Sequence, residues 1–175
     1  KSGASGKFFL VKGNEHRFLR DEAIHTHAWI DVASELPETA TSEAPRLAPI
    51  PVRAQAMRIF VSDLLFHSEV EPVLQALVSR KGFGTVFAPF CGSEARPDWS
   101  GNYEFVDSED GSKHAHRVQF SLLERYRKAY DRHFAHWKHL GRKYDVGIVR
   151  LPSESDFSEA MRWEGLAAGA IELWT

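Results

Sequence analysis

The chain has 175 residues, 43% hydrophobic and 26% charged, with 22 Lys and Arg against 24 Asp and Glu. That balance excludes wholesale disorder and points to one globular domain, and a net charge of −2 does not favour a nucleic-acid partner. The single cysteine, Cys91, excludes an internal disulfide and a four-cysteine zinc site. No apolar run is long enough to span a bilayer and no secretory leader opens the sequence, so a cytoplasmic setting is expected.

Residues 1–7 read as a flexible N-terminal remnant and residues 8–175 as a single domain. Residues 8–19 predict a hairpin, because the apolar run Phe8, Phe9, Leu10, Val11 is followed by Lys12, Gly13 and Asn14, which suit a turn. Residues 21–35 suit a helix capped by Asp21, with Ala23, Ile24, Trp29, Ile30 and Ala33 on its apolar side. Residues 36–51 contain Pro37, Pro45, Pro49 and Pro51 and predict a long surface loop, since proline lacks a donor and fixes φ. Residues 57–63 form the clearest buried strand. Ser68 and Glu71 have the spacing of a capping box for the next helix, with Pro72 in its first turn and Gly82 at its stop. A strand over 85–90 completes a strand–helix–strand unit, which implies a parallel pair with a right-handed crossover. Residues 98–117 are polar and rich in turn formers, with a short strand at 103–107 and a tight turn at 108–111. The longest helix spans 119–144, where Leu123, Tyr126, Tyr130, Phe134, Trp137, Leu140 and Tyr144 recur at three- and four-residue steps. A last strand covers 146–151, and Asp156 with Glu159 opens a final helix. This alternation predicts an α/β fold with a mostly parallel sheet.

Ser62 and Asp63 end a predicted strand, the place where open α/β sheets bind ligands, and an aspartate there can hold a divalent cation. The nine histidines include the pairs His25 and His27, and His114 and His116, and the triplet His133, His136 and His139. Positions i and i+6 of a helix point about 240° apart, so the triplet does not make a three-point site, and solvated histidines are the better reading. The cations of the long helix (Arg125, Arg127, Lys128, Arg132, Lys138, Arg142 and Lys143) read as a solvated face rather than a nucleic-acid surface. Cys91 follows a predicted strand and offers a nucleophile only if a histidine lies beside it. No Gly-rich phosphate loop and no G-x-S-x-G elbow occurs.

Several segments together resemble a bacterial family filed as domain of unknown function fifty-eight. They are the stretch from Val61 to Phe66, the strand Thr85 to Phe90, the segment from Trp99 to Asp107, and Tyr126, Arg127, Lys128, Ala129 and Tyr130 with His136, Trp137 and Leu140. The likeness runs over about residues 8–165 and rests on the order and spacing of these pieces. It implies a von Willebrand factor A-like fold, a doubly wound, mostly parallel sheet flanked by helices, with a metal-ion-dependent adhesion site at its carboxyl edge. Asp63 matches that site's third element, with Ser62 beside it, and Thr26 is the candidate for the second. The first element, D-x-S-x-S, does not occur in the 175 residues. Phe8 to Val11 matches the family's second strand, so the central first strand is expected to be missing from this chain. The resemblance further implies a protein partner, such as a MoxR-type ATPase, and a magnesium ion bridging Asp63 to that partner.

The expected function is a non-enzymatic interaction or adaptor domain that presents the loops after Asp63 and Cys91, with homo-oligomers among its forms. The alternative is a histidine- or cysteine-dependent hydrolase or a metal-dependent nuclease, which requires Cys91 beside a histidine or several His and Asp side chains in one pocket.

Overall fold

The computed structural model describes residues 6–36, 43–107 and 111–170. Its centre is a three-stranded parallel sheet of β3 (Met57–Val61), β4 (Phe83–Phe90) and β7 (Val146–Pro152), in the order β3-β4-β7. Two antiparallel hairpins stand outside this sheet, β1 (Phe8–Lys12) with β2 (Glu15–Leu19), and β5 (Gly101–Val106) with β6 (Lys113–Val118). The helices are α1 (Asp21–His25), α2 (Trp29–Ser34), α3 (Glu71–Val78), α4 (Gly92–Ala95), α5 (Phe120–Tyr144) and α6 (Phe157–Ala160). A π-helical turn, Met161–Gly165, continues α6. The chain is therefore α/β, with helices packed on a parallel sheet, as the alternating pattern predicts. None of the helices among the described residues is long and apolar enough to cross a membrane.

Both crossovers advance the sheet in one direction, from β3 to β4 through α3 and from β4 to β7 through α5. Right-handed crossovers moving one way place their helices on one face. That face carries Phe60, Gly84, Val86, Ala88, Val146 and Ile148, and the core forms where it meets Val73, Leu74 and Leu77 of α3 and Tyr130, Phe134, Trp137 and Leu140 of α5. Trp137 is fully buried at its centre, edge-on to Phe66. Two glycines allow the close approach: a Cβ on Gly84 would stand 2.9 Å from Leu77 Cβ, and one on Gly141 would stand 2.6 Å from Ile148 Cγ1. Among the described residues the opposite face is best covered at β7, where the residues after the π turn lie over Gly147 and Val149 is buried, while Thr85 and Phe87 of β4 are half-buried.

Several local expectations change. The helix over 21–35 is two short helices, broken where His27 takes a positive φ of 59°. The Ser68–Glu71 capping box does not form: α3 starts after Val70 with no side-chain cap, and Ser68 Oγ instead accepts the Ala44 N–H of the proline-rich loop. Gly82 does not end α3 by a left-handed turn, its φ being −78°. It leaves room for Arg58, whose Cζ would be 2.6 Å from a Cβ at that position. Arg58 is buried under α3 and its Nη1 donates to Ala76 O, Leu77 O and Ser79 Oγ, supplying the cap at the end of that helix. The segment read as mostly turns, 98–117, holds a full hairpin, because β6 pairs along all of β5. With His114 and His116 on one side and Lys113, Ala115 and Arg117 on the other, this strand shows no apolar face to a hydrophobicity pattern. Asp156 caps α6 as expected, accepting from Ser158 N and Glu159 N. The sequence expectations for 1–5, for Pro37, and for most of the turn at 108–111 lie outside the described residues.

Candidate functional site

Because β3, β4 and β7 are parallel neighbours, their carboxyl ends share one edge of the sheet. Three short loops leave it, carrying Ser62 and Asp63 after β3, Cys91, Gly92 and Ser93 after β4, and Ser153 and Glu154 after β7. Outside the carboxyl ends of such strands, side chains on different loops can meet one ligand.

The loops after β4 and β7 are clasped together. Ser153 N–H donates to Phe90 O at 2.9 Å, and Gly92 N–H donates to Glu154 Oε1 at 2.7 Å. The Cys91 thiol lies 2.9 Å from Ser93 Oγ, on the side of the loop near the Glu154 carboxylate. These donors, first the Gly92 N–H and then the Cys91 thiol, hold the Glu154 carboxyl below its ordinary pKa, since each favours the charged form. Glu154 itself is exposed.

Behind this clasp, a polar chain fixes α4 to α5 and β7. Arg150 Nη2 donates to Tyr130 Oη at 2.7 Å, and Tyr130 donates onward to Glu94 Oε1 at 2.8 Å. The Arg150 guanidinium sits between two rings, 4.0 Å from the Phe90 centroid and 3.9 Å from that of Phe134. Tyr126 Oη donates to Glu94 O, and Arg127 Nη2 to Pro97 O. Burial, with the bond to Glu94 reinforcing it and Arg150 opposing it, pushes the Tyr130 hydroxyl well above its ordinary pKa, so it stays a donor. The rim loops are thus mounted on a rigid base.

Asp63 is also anchored. Its Oδ1 accepts the Leu65 N–H, and Ser62 Oγ accepts the Leu64 N–H. Between them Leu64 is fully buried with a φ of 64°, and its carbonyl lies 2.8 Å from His133 Nε2 of α5. Thr26 is placed elsewhere, at the end of α1, where its hydroxyl donates to Glu22 O. Ser62, Asp63 and Thr26 each give a polar atom to a local turn, and the structure draws Ser62 and Asp63 together through sequence adjacency only. Among the described residues, no group of three or more His, Cys, Asp or Glu side chains comes together to hold a metal.

The histidines are spread over separate elements. His25 ends α1, His114 and His116 stack on the β5–β6 ribbon with centroids 6.4 Å apart, and His133 serves Leu64. Among the described residues the hydrogen-bond partner of the Cys91 thiol is Ser93, not a histidine. The thiol–imidazole pair that a cysteine hydrolase needs is therefore not what this loop presents.

Nothing in the sequence marks Glu154, Glu94, Tyr130 and Arg150 as site residues. The last three lie at positions 94, 130 and 150 and share no spacing rule, so only packing brings them together. Glu154 sits within Ser153, Glu154, Ser155 and Asp156, a run that reads as ordinary turn chemistry. No protein-family model, no curated protein and no solved structure matches the chain.

Proposed function

We propose that this chain is a protein-interaction or adaptor domain of von Willebrand A-like type, working through the loop rim at the carboxyl edge of its sheet. One observation carries the reading: the rim presents two exposed carboxylates, Asp63 and Glu154, on loops held in place from behind and free of ion pairs with any described Lys or Arg. A braced, acidic, exposed rim without a histidine at its thiol suits recognition of a basic surface better than bond-breaking chemistry. The partner class is a MoxR-type ATPase, and the contact does not require a metal in this chain.

The test is capture of a purified MoxR-type ATPase by immobilised wild-type chain and by Asp63→Ala. Recovery is expected to fall at least about tenfold, the loss of about 1.4 kcal/mol that one charged hydrogen bond can supply. The variant should remain folded by circular dichroism, because Asp63 is exposed and its one described bond, to the Leu65 N–H, is local. Equal recovery from the two proteins would overturn the proposal.

A further inference from the structure

The outer edge of β3 is complementary to itself. Phe83 N–H donates to Ala56 O at 3.0 Å and Ser62 N–H donates to Phe87 O at 3.1 Å, so the even-numbered residues of β3 turn their backbone groups toward β4. In a parallel ladder the N–H and C=O of one residue point the same way. Met57, Ile59 and Val61 therefore turn theirs outward, where no described residue pairs with them. The side chains of these same three residues stand 73%, 56% and 63% exposed on the uncovered face.

Edge strands are commonly guarded by charge, proline or a bulge. This one is not. Its single charged residue, Arg58, points to the other face and is buried against the end of α3. The ends of the strand differ in charge. Arg53, Arg80 and Lys81, all exposed, flank its amino end, where Arg80 Nη1 donates to Val52 O and Gln55 N–H donates to Arg80 O. Asp63, also exposed, lies just beyond its carboxyl end.

We propose that a second copy of this chain occupies this edge, the two β3 strands pairing antiparallel about a two-fold axis through Ile59. In that register outward-turned residues meet outward-turned residues. Ile59 pairs with Ile59 of the second copy and Met57 with its Val61, and every free N–H and C=O of the three finds a partner. Each basic end then lies by the other copy's Asp63, whereas a parallel pairing of the two copies would set like charges side by side. The apolar side chains gain a cross-strand neighbour on their open side, and two three-stranded sheets become one continuous sheet. Asp63 lies beside both this contact and the loop rim, but the dimer is read at Ile59, which the rim does not include, so its failure and that of partner capture are told apart.

Light scattering after gel filtration tests it on the whole chain. The expected mass is twice the 19.8 kDa of one chain, and Ile59→Lys should halve it with the circular dichroism spectrum unchanged, since that side chain is exposed. A second variant fixes the register. In Cys91→Ser/Ile59→Cys, mild oxidation should link two chains through position 59, because directly opposed Cα atoms in such a pair lie about 5.5 Å apart, within disulfide range. Lys128→Cys on the exposed side of α5, in the same Cys91→Ser background, should not link. A single-chain mass at the highest soluble concentration would overturn the proposal. So would a dimer that survives Ile59→Lys, or one that does not link through position 59.

Discussion

The two faces of the central sheet are built from the same three strands and are both apolar, yet they have opposite fates. Phe60, Val86, Ala88, Val146 and Ile148 on one face form the core with α3 and α5. Met57, Ile59, Val61 and Phe83 on the other face are 56–73% exposed. Hydrophobicity does not separate the two sets. Connection handedness does, because both crossovers run in one direction and deliver both helices to one side. An apolar residue in a strand is thus only a candidate for the core, and burial depends on whether a crossover helix or, as at Val149, a later segment arrives above it.

That contrast can be broken at several strengths. The largest difference is expected between Trp137→Ala and Ile59→Ala. The first removes a fully buried ring at the centre of the covered face and should cost about 3–5 kcal/mol. The second removes a side chain that is exposed in the single chain and, at concentrations where the chain is a monomer, should cost no more than about 0.5 kcal/mol. Urea unfolding of both variants measures the two faces on one scale, and similar losses would show that the open face is packed.

Arg58 sharpens the comparison within a single strand. Arg58→Met keeps the apolar stem but leaves Ala76 O, Leu77 O and Arg53 O without their donor, at an expected cost of about 1–3 kcal/mol. Gly82→Ala should be destabilising too, because its Cβ drives into a guanidinium pinned by these bonds. If Arg58→Met were neutral by urea unfolding, the carbonyl cap would be dispensable.

A smaller effect is expected at the far side of the open face. Asp156→Ala should cost about 1 kcal/mol through loss of the α6 cap, and amide exchange should quicken in Ser158 and Glu159. The smallest is electrostatic. The Gly92 amide resonance should follow a carboxylate titration with its midpoint below the roughly 4.3 of a free glutamate. The sign follows from linkage. A carboxyl whose folded pKa is lowered contributes stability above its unfolded pKa, and that contribution is lost as pH falls through the folded value. The loop clasp should therefore loosen in acid, and a midpoint at or above the free value would show that the Glu154 bonds do not persist in solution.

Much of the architecture was legible in the chain. The strands at 57–63 and 85–90, the helix between them and the long aromatic helix follow from apolar runs and three- and four-residue periodicity, signals that local chain geometry writes directly. The Ser68–Glu71 box shows the limit of such rules. Its spacing is right, but the hydroxyl found a better use against the Ala44 N–H, a loop partner distant in sequence. The strand at 113–118 is hidden in the sequence for a related reason: it is exposed along nearly its whole length, so it carries no apolar alternation, and it exists because β5 offers it a ladder.

The candidate site divides the same way. Ser62 and Asp63 could be placed at a strand's carboxyl end from sequence alone, because an apolar run ending in small polar residues marks that position, although the run expected to be buried is exposed at Met57, Ile59 and Val61. Thr26 could not be tested by spacing, and the structure places it at the end of α1 with its hydroxyl given to Glu22 O. The clasp of Cys91, Gly92 and Glu154, and the brace of Arg150, Tyr130 and Glu94 behind it, needed the fold. By itself the sequence determined which segments are strands and helices and that they alternate, since those depend on neighbours a few residues apart. Only the tertiary structure decided which apolar face is covered, which edge stays open and which polar groups meet at the rim, because those depend on handedness and on packing between residues tens of positions apart.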